Sequence, residues 1–377
     1  MKIVHICFSS PFVEGQGYQE NILPQYQVLD GDEVYVISYN FIYNSNHWKH
    51  IPIGKTRYNN VNIIRLRYNR LGWGIIIPKG LYRTLKGIKP DIIMNHGITP
   101  ISLPICAYYV SKNKNCKLIA DNHADPINCN QNKFIKLLLY KGFISITQKV
   151  IIKYIDRYYG VTKLRCIFLE EMFGIPRNKI GLIPISGDIE LSNTIDKKEV
   201  LRKKYELDKK LFYIICGGKL SMEKGISVLT NTIQKLRQEG FPIELILFGS
   251  FSDKVTENFI QQFNFIKFMN WCDRIKTLEL LKLSDIAIWP VHHTTLCEDA
   301  VSVGTPLILK ETGNTEHLIK GNGVFIKNCT EEDLRTAILY IYDEHNKNKI
   351  SNACIKMKDI LNYHTVANTI KTDLNLK

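Results

Sequence analysis

The stretch Leu211-Phe212-Tyr213-Ile214-Ile215-Cys216-Gly217-Gly218-Lys219-Leu220-Ser221-Met222-Glu223-Lys224-Gly225 joins an apolar run to a loop with three glycines and two lysines. A helical pattern follows. The apolar run reads as a buried strand, and Gly217 and Gly218 as its end. Glycine lets a backbone turn tightly and approach a ligand. A helix opening just after such a turn offers free N–H groups and a positive dipole end, which attract phosphate. Lysines there add point charges suited to a diphosphate. Ligands of open α/β sheets bind outside the carboxyl ends of the strands, where this loop belongs. Two readings follow from these residues alone: a surface turn with two solvated lysines, or a phosphate cradle. A Walker loop is excluded, because GxxxxGK[ST] is absent.

Working outward, short apolar runs recur along the chain. The first half has them at 2–8, 33–38, 61–66, 91–94, 117–120 and 157–161. The second half has them at 211–216, 243–248, 266–269, 286–289, 306–309 and 324–326. Most are bounded by glycine, proline or asparagine, and helical periodicity lies between them, as over Asn132 to Ile155. Strands alternating with helices imply parallel sheets covered on both faces. Two such sets in series predict an α/β chain of two doubly wound, Rossmann-like domains. Their boundary is expected between Gly181 and Val200, giving domains over 1–187 and 188–360. A C-terminal helix over 361–377 is expected to pack back on the first domain. Thr330 precedes Glu331-Glu332-Asp333 in the position of a helix cap.

Composition sets bounds without choosing a function. The chain has 377 residues, 45% hydrophobic and 23% charged, which is globular rather than disordered. Fifty basic against 36 acidic residues give a net charge of +14. That excess favours anionic partners: nucleic acid, phosphorylated small molecules or an acidic membrane surface. Ten cysteines occur without a CxxC pair, which argues against a zinc ribbon and fits a reducing cytoplasm. Met1 to Phe12 reads as a first buried strand rather than a signal peptide, and no apolar run is long enough to span a membrane.

Two more loops stand out. Gly15, Gly17, Tyr18 and Gln19 follow the first strand and open a helix, as a structural turn or a ligand loop. Cys297-Glu298-Asp299-Ala300-Val301-Ser302-Val303-Gly304-Thr305-Pro306 follows the strand ending at Trp289-Pro290. Its adjacent carboxylates read as acceptors for two ribose hydroxyls, or as favourable charge at a helix N-terminus.

These loops, in this order, resemble a GT-B glycosyltransferase of the retaining family 4, among the glycosyl transferases of group 1. Gly217 to Gly225 is similar to the family's GR(L)xxxKG, with Lys219 where arginine is usual. Phe173-Gly174-Ile175-Pro176 with Lys179-Ile180 resembles its G(V/I)P..KI segment. Leu245 to Gly249 resembles the strand and glycine lining the base pocket, and Phe268 to Trp271 the F.G segment, with Asn270 for glycine. Ser284 to Pro290 resembles the A-D-(apolar)-P-S strand. Asp299 to Pro306 corresponds to EAMAxGxP.

The resemblance implies two Rossmann-like domains facing across a cleft. The first would bind the acceptor and the second the nucleotide sugar. Lys219 and Lys224 would bind the donor diphosphate near Gly217, Gly218 and Gly249. Either Asp299 or Glu298 would hold the ribose. His123 would contact the transferred sugar, and Gly15, Gly17, Tyr18 and Gln19 would lie near phosphate and acceptor. The family's paired glutamates are eight apart, yet Val291 stands eight before Asp299. His292, His293, Thr294 or Thr295 would then face the sugar instead. The implied reaction is metal-independent hexosyl transfer from a nucleotide-diphosphate sugar to a hydroxyl, with retention. Basic apolar segments at 67–74, 79–86 and 133–141 suit an anionic membrane surface and a glycan or polyprenyl-diphosphate-linked acceptor. The expectation is therefore a cytoplasmic enzyme at the inner membrane face, serving bacterial surface polysaccharide (O-antigen or capsule) assembly. The alternatives are an inactive sugar-nucleotide-binding module and, from the charge alone, a nucleic-acid binder, for which no recognition motif is present.

Overall fold

The computed structural model describes residues 1–377 apart from 45–46, 72–74, 127–128, 130–131, 133–135 and 377. Contacts divide the chain into a first unit, Met1–Pro184 with Val366–Lys377, and a second, Ile185–Thr365. Lys133–Ile135, within one of the basic apolar segments, lies outside the described residues, as does 72–74.

The first unit contains β1 (Lys2–Cys7), β2 (Glu33–Tyr39), β3 (Phe41–Asn44), β4 (His47–His50), β5 (Gly54–Tyr58), β6 (Val61–Leu66), β7 (Tyr68–Arg70), β8 (Ile76–Pro78), β9 (Ile92–His96), β10 (Lys117–Asn122), β11 (Arg157–Gly160) and β12 (Ile180–Leu182). Eight of them form one sheet in the order β12-β11-β10-β9-β1-β2-β6-β5. All its pairs are parallel except β5 with β6. The central strands are buried and mainly apolar because both of their faces are covered, with polar residues such as His5, His96 and Asp121 among them. The edge strand β5 and the hairpins β3–β4 and β7–β8 were not expected from the sequence. The polar, exposed β5 (Gly54-Lys55-Thr56-Arg57-Tyr58) shows why: it carries no apolar run.

The second unit contains β13 (Phe212–Leu220), β14 (Ile243–Phe251), β15 (Ile266–Met269), β16 (Ile286–Trp289), β17 (Leu307–Lys310) and β18 (Gly323–Ile326). Their order is β15-β14-β13-β16-β17-β18, all parallel. This is the doubly wound order 3-2-1-4-5-6, whose direction reverses between the first and fourth strands. Thr330 caps the helix Glu331–Tyr342 by accepting from the Asp333 N–H at 3.1 Å.

One detail departs from the expected turn. Gly217 and Gly218 do not end the strand; β13 runs on to Leu220, pairing Gly218 with Gly249 and Leu220 with Phe251. The chain turns later, through the short 3₁₀ segment Met222–Lys224 and Gly225 at φ 78°. The glycines serve close approach instead. A Cβ on Gly217 would lie 2.0 Å from the Phe248 ring, and one on Gly249 2.1 Å from the Gly218 carbonyl oxygen. Gly218 and Gly249 also have φ of +107° and +116°, where side chains are strained.

Gly249→Ala is therefore expected to destabilise the second unit by about 1–3 kcal/mol. A thermal melt with an unchanged midpoint would contradict this account of the strand pair.

Candidate functional site

In the second unit the switch point lies between β13 and β16, and both loops leaving it carry chemistry. Cys216, Gly217, Gly218, Lys219, Leu220, Lys224 and Ile226 form one wall of a cavity of about 50 Å³. Trp289, Pro290, Val291, His292, His293 and Thr294 form the other. That volume has room for a few water-sized groups. The Trp289 indole N–H donates to the Gly217 carbonyl at 3.0 Å, tying the two loops together. The helix Ile226–Gln238 opens at this wall, directing unpaired N–H groups and its positive end there. Lys219 is exposed and Lys224 half-buried. Neither is paired with a carboxylate among the described residues. Two unpaired ammonium groups at a helix N-terminus form a receptor for anionic oxygens.

The carboxylates opening the helix Leu296–Val303 have different partners. Asp299 Oδ2 meets the Arg274 guanidinium at 2.5 Å, on the helix Arg274–Leu283. Burial raises the Asp299 pKa, with Arg274 pulling the other way. Asp299 is thus already half of an ion pair. Glu298, 1% exposed, accepts from His293 Nε2 at 2.7 Å, and His317 Nε2 stands 3.9 Å from the same oxygen. Burial pushes the Glu298 carboxyl up, but the two imidazoles outweigh it and hold it at about 2. Thr295 lies at the helix start without a side-chain cap bond, and Thr294 lines the cavity.

The first unit builds its own cluster at its own switch point, between β1 and β9. His96 Nδ1 donates to Asp121 Oδ2 at 2.6 Å, and the Gly97 N–H donates to Asp121 Oδ1 at 2.8 Å. His123 Nε2 lies 3.4 Å from Asp121 Oδ2, and Gln19 Nε2 donates to that oxygen at 3.4 Å. Behind His96 stand His5, 2.9 Å away, and Gln27, whose amide oxygen is 2.6 Å from His5 Nε2. This order fixes the protons. His5 donates from Nε2 to Gln27 and accepts at Nδ1 from His96. The Asp121 carboxylate only accepts, so His96 donates from both nitrogens and is an imidazolium. The charges agree: burial lowers His5 to about 3, whereas Asp121 raises His96 against burial. Burial would raise the Asp121 carboxyl, but the flanking histidines hold it well below the usual range. Among the described residues, His96, Asp121 and His123 are the one group spaced closely enough to hold a metal ion. Asp121 is already engaged by His96 and the Gly97 N–H.

Of the residues singled out in the sequence, Lys219, Lys224, Gly217, Gly218, His292, His293 and Thr294 line one cavity. Glu298 joins it through His293, whereas Asp299 turns to Arg274. Gly249 contributes by its backbone approach to Gly218. In the first unit, Gln19 and His123 meet at Asp121. Tyr18 precedes the helix Gln19–Leu29 and is half exposed; Gly15 has φ 82° in the open loop before it, and Gly17 is partly buried. Sequence reasoning missed His5, His96, Arg274 and His317. His96 had one signal, its place beside Gly97 at a strand's carboxyl end.

Two doubly wound units in one chain define the GT-B fold, and solved structures of that class superpose on nearly the whole chain. A glycosyltransferase from Rickettsia africae does so with a TM-score of 0.70 at 17% identity, over 99% of this chain and 98% of its own. Anabaena Alr3699/HepE, solved in complex with UDP-glucose, does so with a TM-score of 0.64 at 14% identity, over 100% and 99%. Residues 197–357, within the second unit, are similar to the family described as glycosyl transferases group 1. A curated relative, the uncharacterized glycosyltransferase MJ1059 of Methanocaldococcus jannaschii, is 25% identical over 190 residues. That match spans 48% of this chain and 45% of the relative, less than half of either.

The buried histidines make stability depend on pH. His5, depressed from 6.5 to about 3, refuses a proton that the unfolded chain accepts. Its contribution is complete above 6.5 and is lost as pH falls toward 3. His96, raised, contributes the opposite way, fully below its unfolded pKa and less as pH rises. The unfolding free energy from urea titration is expected to fall on acidification through the His5 window, by at most about 1.4 kcal/mol per pH unit from this group. His5→Gln should flatten that dependence; an equally steep curve in the variant would rule it out.

Proposed function

We propose that the protein is a retaining, metal-independent glycosyltransferase that moves a hexosyl group from a nucleotide-diphosphate sugar to a hydroxyl. The observation that carries this reading is the pair of uncompensated lysines, Lys219 and Lys224, at the switch point of the second sheet. Negative charge builds on the leaving diphosphate as the glycosidic bond breaks. Fixed cations and a helix N-terminus aimed there stabilise it without reorganising at the moment of reaction. They supply the charge that a bound divalent ion supplies elsewhere. UDP-glucose bound to the Anabaena structure supports a nucleotide sugar as donor. Retention follows from the family resemblance. In this reading His123, whose Nε2 lies 3.4 Å from Asp121 Oδ2, would contact the transferred sugar, and Asp299 or Glu298 would hold the ribose.

For the acceptor, the reading is a glycan or polyprenyl-diphosphate-linked hydroxyl at an anionic membrane, in surface polysaccharide assembly. No helix among the described residues is long and apolar enough to cross a membrane. The helical run Lys136–Ile144 and Ser145–Ile151 instead turns Phe143, Ile146 and Val150 outward, at 53%, 62% and 63% exposure. Exposed Lys141 and Lys149 lie beside them. An apolar stripe edged by lysines suits shallow contact with anionic headgroups.

A thermal-shift screen over nucleotide sugars tests the donor, because a ligand that binds only the folded state raises its melting temperature. Turnover of the stabilising donor separates an enzyme from an inactive binding module. Lys224→Ala is expected to lower transfer on the order of 10²-fold. Near-normal turnover in that variant would remove the loop from the mechanism.

A further inference from the structure

The cluster His293–Glu298–His317 has a feature that the donor reading leaves unexplained. Glu298 is buried and ionised, yet its Oε2 has no hydrogen-bond partner, and neither has the buried His317 Nε2. Buried polar atoms are almost always satisfied, and a buried carboxylate is costly without a positive partner. Glu298 Oε1 faces His293 at 2.7 Å and His317 at 3.9 Å. Of the two imidazoles facing this carboxylate, His293 is the nearer. The His293 ring, 9% exposed, also forms part of the cavity wall shared with Lys219 and Lys224.

Lys219 and Lys224 face one small cavity, where like charges repel unless an anion occupies it. We propose that His293, held by Glu298, is a third contact for the donor's diphosphate, cationic when it carries its second proton, with Glu298 as its positioning residue. This rests on the donor reading above and deepens it. The groups bearing on His293 are named on each side. Glu298 faces it with opposite charge, and Lys219 and Lys224 share its cavity with exposed His292. His317 competes for the same carboxylate, while Asp299 is engaged by Arg274. An anion in the cavity offsets the lysine charges, so binding and protonation reinforce each other.

Binding of UDP-glucose, measured by calorimetry on the full chain, tests this without turnover. Its diphosphate keeps its charge across the range in which histidine titrates, roughly pH 5 to 8. Wild-type affinity is expected to weaken as pH rises through that range. His293→Asn should bind about 10-fold more weakly at the acid end and lose the pH dependence, as expected for one charge-assisted hydrogen bond. Glu298→Gln should also flatten the pH profile while leaving the protein folded, checked by its melting temperature. If Glu298→Gln does not fold, the His293→Asn profile decides alone. His317→Asn, which leaves Glu298 to His293, should keep the dependence. Unchanged affinity and pH profile in His293→Asn, with binding still lost in Lys224→Ala, would overturn the role of His293 and spare the donor site. Failure of the wild type to bind UDP-glucose or any other nucleotide-diphosphate sugar would overturn both.

Discussion

The second unit depends on how closely two backbones can run. The strands β13 and β14 approach so tightly that a Cβ on Gly249 would lie 2.1 Å from the Gly218 carbonyl oxygen, and Gly218 itself sits at φ +107°, where a side chain is strained. That contact carries β13 four residues past its apolar core, as far as Leu220. Lys219 is thereby set on a hydrogen-bonded strand rather than on a free loop, and Lys224 follows after a single short turn. The Trp289 indole, bonded to the Gly217 carbonyl, brings the loop after β16 to the same place. Cationic side chains pay a large entropy cost when they are ordered from a mobile loop. Here the backbone has met part of that cost during folding.

Both units place a buried carboxylate with two imidazoles at the point where strand order reverses. In the first, Asp121 is held by His96 and by a backbone N–H, and the chain of donors continues through His5 to Gln27. Its proton positions follow from the partners alone. In the second, Glu298 has partners on one oxygen only. In the first cluster both Asp121 oxygens are engaged; in the second Glu298 Oε2 is left over and the cluster adjoins a cavity. Low-dielectric surroundings strengthen each charge pair and raise the cost of each missing partner. The difference between the clusters is therefore a difference in what each can still bind.

The layout of the sheets was legible because strands covered on both faces are written as apolar runs. All twelve expected runs correspond to strands of the two sheets, from Lys2–Cys7 to Gly323–Ile326. The edge strand Gly54–Tyr58 was not legible, since an edge is paired on one side and needs no apolar face. The glycine-lysine loop was legible as a ligand candidate from Gly217, Gly218, Lys219 and Lys224, although not as a strand extension. That extension depends on Phe248 and Gly249, some thirty residues downstream. The clusters were less legible still. His5 and His96 are 91 residues apart in sequence and touch only because β1 and β9 are neighbours. Arg274 looks like an ordinary helix-start residue until Asp299 is brought against it.

The first unit is not continuous in sequence. Its last segment, Val366–Lys377, comes after the whole of the second unit, and Lys371 pairs with Asp32 while the Tyr159 hydroxyl bonds Asp373. On a ribosome, which makes the chain from its N-terminus, residues 185–365 are complete before this segment exists. The unit begun first is the one that closes last, and until then Asp32, whose Oδ1 pairs with the Met1 amino group, waits with its Oδ2 for the lysine 339 positions away.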